Sequence, residues 1–284
     1  IINNRLVNNI PTKDRDVAMM FQNHMLYPRK TAFENIAFSL VLQRLSKLEI
    51  TRQVSAIAEL LEITDVLDRR PRQMSGGEKQ RVAMGRALIR NPQVFLLDEP
   101  LSNLDAKLRE QMRTQIKKIH RKLNTTMVFV THDQLEAMTM ADRLAVMNNG
   151  QIEQIGTPGH IYDTPATLFV AQFFGTPAIN LFCGKLKKYD EELSFCINNE
   201  IKLQIPKNRV ESSRTHIDQD VVLAVRPEHI SIGFSFSDSA SFAMVGSVIQ
   251  LERTGMDSIV TLEYSGQEIR ARMQPGEAVE VGIK

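Results

Sequence analysis

At 284 residues, with 43% hydrophobic and 24% charged side chains, the chain has the composition of an ordinary globular protein. Its 35 basic and 33 acidic residues leave a formal charge of +2, which gives no reason to expect nucleic acid or another acidic polymer as partner. No apolar run approaches the ~18 residues of a membrane span and no secretory leader pattern opens the chain. Cys183 and Cys196 form no CxxC pair, so free thiols in the cytoplasm are expected, with a peripheral membrane role left open. A prior of ~100–200 residues per domain gives two domains.

In chain order, Asn3 to Arg15 is polar and reads as loop. Val17 to Phe21 is a short apolar run that predicts a buried strand with Gln22 at its exit. Thr31 and Glu34 have the spacing of a capping box, opening an unusually apolar helical run to about Leu48. Val54, Ile57 and Leu61 then fall at helical spacing behind Thr51, read as a cap. Residues 29–73 therefore form a helical insert.

Met74 to Pro100 carries the strongest signals. Ser75-Gly76-Gly77 opens a basic helical run, and such a start presents unpaired N–H groups at the positive end of a helix dipole. Val94 to Leu97 predicts a strand buried on both faces, which delivers Asp98 and Glu99 to its C-terminal end. An anion-binding helix start followed by a carboxylate pair at a sheet edge suits magnesium-dependent nucleotide chemistry. Each feature alone has a plainer reading, a cap and a solvated strand end. Their order and proximity favour the chemical one.

Asn103-Leu104-Asp105 is a turn before a long helix striped by Leu104, Leu108, Met112, Ile116, Ile119 and Leu123. Met127 to Val130 is a further buried-strand run, ending in Thr131-His132. His132 is thus the third polar arrival at a strand exit, after Gln22 and Asp98-Glu99. A short helix from Asp133, a hairpin turning at Asn149-Gly150, and an amphipathic helix from Ile161 to Phe174 follow. Beyond Gly175 the pattern changes to short alternating segments, Val221–Val225, Gly246–Leu251, Ile259–Tyr264, Ile269–Met273 and Val279–Val281, punctuated by Gly233, Gly255, Gly266 and Gly276. That is the pattern of a small antiparallel barrel or sandwich.

Gln22, MSGGEKQRV, VFLLDEP, SNLD and VTHD stand in the order and spacing of the ATP-binding-cassette ATPases, which the chain resembles over essentially its whole length. Ala224 to Ile230, AVRPEHI, is similar to a segment of the C-terminal OB-like domain of sugar-importer ATPases of the maltose, multiple-sugar and glycerol-phosphate type. The resemblance implies an α/β ATPase domain of the P-loop NTPase kind over 1–174, with its helical subdomain at about 29–73, and an all-β OB-like domain over 181–284. It implies ATP and Mg2+, with Gln22 and Asp98 at the metal, Glu99 as general base and His132 at the γ-phosphate. Ser75, Gly76, Gly77, Glu78 and Asp105 would face ATP held by a second copy in a homodimer. Two transmembrane permease subunits, and indirectly an extracytoplasmic solute-binding protein, are the implied partners, at the cytoplasmic face of the membrane.

The resemblance also implies a phosphate loop, and no G-x-x-x-x-G-K-[ST] occurs in these residues. Gly184-Lys185 is the nearest match, but Ile179 stands where the first glycine belongs. The chain opens on Ile1 and closes in a strand-like pattern, so both ends read as cut and the loop is expected upstream of Ile1. Residues 1–284 alone are expected to show no ATP turnover above a Glu99→Gln control. The alternatives are an importer ATPase for polyamine, iron or an anion, or a regulatory protein that kept the fold without catalysis.

Overall fold

The structure, a computed structural model, describes residues 1–284 except 24, 190, 191, 198–200, 206–209, 212, 233–244, 254, 256 and 275–284. Gly233, Gly276 and the expected strand Val279–Val281 lie outside the described residues. The chain divides into two compact units, Ile1–Asp142 and Arg143–Lys284.

The first unit is built on a parallel sheet of β1 (Val17–Met20), β2 (Val94–Asp98) and β3 (Thr126–Val130), in that spatial order. Parallel neighbours need long crossovers. Between β1 and β2 these are α1 (Ala32–Leu42), α2 (Lys47–Leu60) and α3 (Gly76–Leu88); between β2 and β3 it is α4 (Ala106–Leu123). A short α5 (Gln134–Met140) follows β3.

Register decides which strand residues meet the helices. Ala18 pairs with Phe95 and Phe95 with Met127; Met20 pairs with Leu97 and Leu97 with Phe129. These six share one face and pack into the core with Ile36, Val54, Leu61, Met84, Met112 and Ile119. The alternate residues lie on the other face, where Met19, Val128 and Val130 are 40%, 48% and 51% exposed. The expectation of strands buried on both faces is therefore corrected. Helices cover one face; on the other, Val94 and Leu96 of the central strand are half-buried while Met19, Val128 and Val130 of its neighbours are exposed.

Thr31 and Glu34 form the expected capping box at α1. The next helix begins earlier than Thr51. Ser46 is its cap, accepting the Glu49 N–H, and Thr51 sits one turn inside with its hydroxyl donating to the Lys47 carbonyl at 3.0 Å. The turn before it is made by Arg44 in the left-handed region at φ 60°.

The second unit opens with an antiparallel hairpin, β4 (Leu144–Asn148) and β5 (Gln151–Gly156), whose turn residues Asn149 and Gly150 both have positive φ, 48° and 78°. The single helix expected from Ile161 to Phe174 is two, α6 (Pro158–Asp163) and α7 (Leu168–Phe173). Pro165 disfavours helical geometry at Thr164, and Thr167 starts the second helix by capping Val170.

Two antiparallel sheets follow. One has the order β8 (Ile201–Gln204), β7 (Glu192–Ile197), β6 (Asn180–Tyr189), β9 (Asp220–Val225); the other runs β10 (Ser247–Arg253), β11 (Ser258–Tyr264), β12 (Gln267–Met273). Buried Asn180 ties them together. Its amide nitrogen donates to the carbonyls of Val225 at 3.2 Å and Arg270 at 2.8 Å, and its oxygen accepts the Arg270 N–H at 2.7 Å. Cys183 and Cys196 are free thiols, one exposed and one buried.

Arg226, 5% exposed, fastens the two helices to this unit. Its guanidinium donates to the carbonyls of Ala171 (2.9 Å), Phe174 and Tyr162 (3.1 Å), and lies 4.0 Å from the centre of the Tyr162 ring. The Tyr162 hydroxyl in turn donates to Glu228.

Gly184 is a packing residue in the middle of β6. A Cβ there would stand 2.4 Å from the Cys196 carbonyl oxygen and 2.6 Å from Cζ of Phe195. Backbone cannot yield as a side-chain tip does. Gly184→Ala is expected to destabilise the chain by about 1–3 kcal/mol in urea unfolding. Gly159→Ala is the control, since its Cβ meets nothing within 4 Å. Equal effects of the two would show that the close approach carries no energetic weight.

Candidate nucleotide-phosphate site

All three strands of the parallel sheet end on the same edge, with β2 in the middle. Glu99 is therefore delivered between Gln22, two residues past β1, and His132, two residues past β3. The chain turns sharply at Glu99, which has φ 43°, a region that costs a side-chain-bearing residue about 1 kcal/mol or more. Three bonds hold it there: its N–H donates to the Val130 carbonyl at 3.0 Å, and its carbonyl accepts the Ser102 hydroxyl at 3.0 Å and the Ser102 N–H at 3.3 Å.

The Glu99 side chain gathers both neighbours. Gln22 Nε2 donates to Oε2 at 3.0 Å and lies 3.2 Å from the Ser102 hydroxyl; His132 Nδ1 is 3.3 Å from Oε1. Asn103 donates to the Gln22 carbonyl at 3.2 Å, which fixes the loop after β1 against the turn after β2. His132 is 73% exposed and the Glu99 side chain 30%, so the cluster is open on one side. Asp98 is half-buried at the end of β2, and among the described residues no group donates to its carboxylate.

The second group of expected site residues lies at two helix starts. Ser75 caps α3: its hydroxyl accepts the Glu78 N–H at 3.3 Å, and the Glu78 carboxylate accepts the Ser75 N–H at 2.7 Å. The N–H groups of Gly76 and Gly77 have no acceptor among the described residues. A Cβ at Gly77 would come within 2.7 Å of Leu108 Cδ1, so the Leu108 side chain would have to shift, and one at Gly76 would make ordinary contact with Leu104 at 3.6 Å. The start of α3 thus abuts the start of α4, where Asp105 accepts the Leu108 N–H at 3.0 Å. Two positive helix ends lie together. No hydrogen bond or ion pair joins the Ser75 turn to the Glu99 cluster among the described residues.

The geometry of the α3 start also tunes the charge of Glu78. The Ser75 backbone N–H, with smaller help from the Ser75 hydroxyl, Arg69 and Arg81, holds its carboxyl below the usual carboxylate value against the opposing effect of burial. A depressed folded value means stability that is present above the unfolded value of ~4.3 and is lost as the pH falls through the folded one. Glu78→Gln keeps the capping geometry without the charge. At pH 7 it is expected to cost about 0.5–1 kcal/mol in urea unfolding, and the two proteins should converge toward pH 3. A gap that persists undiminished in acid would mean that the charge is irrelevant.

Sequence reasoning missed a third set. Ser102, Arg109, Thr131, Asp133 and Glu136 line a small depression with Glu99 and His132. Asp133 caps α5 through the Glu136 N–H at 3.0 Å, and the buried Glu136 carboxylate accepts the Thr131 hydroxyl at 2.6 Å. Burial, foremost, raises the Glu136 carboxyl above its ordinary value. Asp133 followed by Glu136 is a helix-start signature, and it was available in the sequence.

Residues 1–102 match the ABC transporter family model, 175–230 the MalK OB fold domain and 223–283 the TOBE domain. The uncharacterized ABC transporter ATP-binding protein YurJ of Bacillus subtilis is 43% identical over 284 residues, covering 99% of this chain and 77% of its own. The sn-glycerol-3-phosphate import ATP-binding protein UgpC of Chromobacterium violaceum is 45% identical over 289 residues, covering 100% of this chain and 75% of its own. The trehalose/maltose import ATP-binding protein MalK of Thermococcus litoralis is 43% identical over 282 residues, covering 96% and 75%. Among solved structures, cbiO1 from Clostridium perfringens, part of the ABC transporter complex cbiONQ, shares the fold with a TM-score of 0.50 at 24% identity, over 54% of this chain and 61% of its own. The chain belongs to the ABC transporter ATP-binding proteins, with an ATPase domain followed by an OB-fold and TOBE region.

Proposed function

We propose that the chain is the ATP-hydrolysing subunit of an importer for sugars or sugar phosphates, working as a homodimer with ATP bound between its two copies. The observation that carries this reading is the convergence of Gln22 and His132 on the carboxylate of Glu99. Glu99 is the general base for the attacking water, Gln22 orients that water, and His132 contacts the γ-phosphate. Gly76 and Gly77 offer their N–H groups, and Ser75 its hydroxyl proton, to the γ-phosphate of ATP held by the opposite copy. Glu78 and Asp105 face the same interface; each orients its helix start, Glu78 by holding Ser75 and Asp105 by capping α4.

Residues 1–284 contain no G-x-x-x-x-G-K-[ST] motif, so the phosphate contacts proposed for them are those of the Ser75 turn and His132. The donor set fits magnesium. That ion takes one or two protein oxygens beside phosphate and water, and among the described residues the half-buried Asp98 carboxylate and Gln22 Oε1 have no protein partner. When bound, it neutralises charge on the phosphates. The domain limits that go with this reading are 1–174 for the ATPase and 181–284 for the OB-like tail.

Membrane partners fit one surface in particular. Val41, Leu42 and Leu48 are 57%, 69% and 83% exposed at the end of α1 and the start of α2, an apolar ridge at the turn between the two helices, and Met25 and Tyr27 after Gln22 are exposed as well. Among the described residues no helix is long and apolar enough to cross a membrane. We place the ridge against two permease subunits at the cytoplasmic face, which receive solute from an extracytoplasmic binding protein. The relatives named for sn-glycerol-3-phosphate and trehalose/maltose import favour sugars and their phosphates over polyamines, iron or inorganic anions.

The test uses the full gene product assembled with its permeases and binding protein in proteoliposomes. Leu42→Glu with Leu48→Glu should lower solute uptake roughly tenfold or more, as loss of ~1.4 kcal/mol of contact would. Basal hydrolysis should stay within about twofold of wild type. Equal loss of both would make the ridge structural. Stimulation of hydrolysis by polyamine or iron, and by no sugar or sugar phosphate, would overturn the substrate class.

A further inference from the structure

Arg109 lies in α4, one turn after Asp105, and reaches two loops that are distant in sequence. Its Nη2 donates to the Leu104 carbonyl at 3.1 Å, and Nη1 is 3.3 Å from Asp133 Oδ2. Nε approaches the buried Glu136 carboxylate at 3.9 Å. On the far side, Thr131 and Asp133 flank His132. The Thr131 hydroxyl donates to Glu136 at 2.6 Å and accepts the Asp133 N–H at 3.0 Å. The backbone on both sides of His132 is therefore bonded into one acid-rich knot, and Arg109 is the cation bonded to it, while Arg113, one turn further along α4, acts on Glu136 only through its charge. The His132 ring itself is 73% exposed, and Glu99 is its polar partner among the described residues. The backbone that carries the ring is set by the knot beneath.

We infer that Arg109 is a positioning residue that holds the His132 turn in register with the Leu104–Asp105 turn, with Glu136 as its buried anchor. The planar guanidinium suits this task because its fork serves two acceptors at fixed angles, which an ammonium does not. Movement of the α4 start is then passed to His132 through one side chain. The inference deepens the proposed reading, since it assigns a link between two groups given roles at the nucleotide.

The test is made on the 284-residue chain by carbon-13 and nitrogen-15 spectroscopy. Among its six histidines, the His132 ring signal is identified by its loss in His132→Gln. In Arg109→Gln the His132 signal is expected to shift or broaden while the other five stay in place. The amides of Asp133 and Glu136 should exchange about tenfold faster, as loss of a charge-assisted bond implies. Arg109→Lys retains the positive charge but cannot hold Leu104 and Asp133 together, so it should keep the overall fold and still disturb His132. If Arg109→Gln unfolds the chain, the lysine variant decides. An unmoved His132 signal with unchanged exchange at Asp133 and Glu136, in a folded variant, overturns the inference. The readout is the ring's position and not turnover. A His132 fixed by Arg109 yet dispensable for hydrolysis would sink the functional reading and leave this one standing.

Discussion

Replacing Glu99 with glutamine is expected to lower the maximal rate of ATP hydrolysis by the full gene product about 10²–10⁴-fold, the usual worth of a positioned general base. Glutamine has almost the shape of glutamate, and its amide oxygen can still accept the Gln22 Nε2–H that now sits 3.0 Å from Oε2. The turn at Glu99 is held by its own backbone bonds to Val130 and Ser102, which the substitution leaves alone. What disappears is the ability to take a proton from water. The loss should therefore fall on kcat, with nucleotide affinity nearly unchanged. Single-turnover hydrolysis, beside an equilibrium nucleotide-binding measurement, separates the two. A variant hydrolysing within about twofold of wild type would remove Glu99 from the role of base.

That site was largely legible because it obeys a rule of open α/β sheets: functional groups gather at the C-terminal ends of the strands. Short apolar runs ending in Gln22, Asp98-Glu99 and Thr131-His132 mark three such ends, and the register places Glu99 in the middle. Arg109 and Glu136 were not legible in the same way. Each sits on a helix at ordinary helical spacing, where a charged residue usually means a solvated face; Glu136 has a local task in its helix start, but only the tertiary meeting of α4 with the turn after β3 brings Arg109 to it. The turn at Ser75 was read as an anion site, but the capping role of Glu78 was not, although a serine followed three residues later by glutamate is a known start signal.

In the fold, periodicity found the helices and missed what depends on coverage. Val128 and Val130 read as buried because apolar runs look alike whether one face or two is covered. Thr51 reads as a cap because the apolar run from Thr31 continues past Ser46 to Leu48 without a break in pattern, whereas the first helix ends at Leu42 and Ser46 caps the second. The strand β6, Asn180–Tyr189, went unseen because Gly184 and three lysines interrupt its alternation. Its buried positions, Asn180, Phe182 and Leu186, are spaced by two and four, but the lysine-rich end hides the pattern.

Arg226 carries the other large expected effect, and it falls on stability. The segment Ala224 to Ile230 stood out in the sequence by resemblance, and the structure supplies its physical reason. Ala171, Tyr162 and Phe174 lie in the last turns of α6 and α7 or just beyond, where backbone carbonyls lack helical partners. One guanidinium answers all three, and its flat face covers the Tyr162 ring at 4.0 Å. Arg226→Ala leaves these carbonyls buried without their donor and opens a gap beside the ring. A loss of about 2–4 kcal/mol is expected, since hydrogen bonds to charged groups are worth ~1.5–3 kcal/mol each and part of the charge-burial cost is recovered. Arg226→Lys should lose roughly half as much, because an ammonium donates without the fork or the stacking. Tyr162→Phe, which removes only the hydroxyl bond to Glu228, should cost about 1 kcal/mol. Because the chain divides into two units, urea unfolding followed separately at Tyr264 and at α4 tells a local effect from a general one. The transition of residues 143–284 should move and that of residues 1–142 should stay. If both moved together, Arg226 would be stabilising the chain as a whole and not fastening two helices to the unit that contains it.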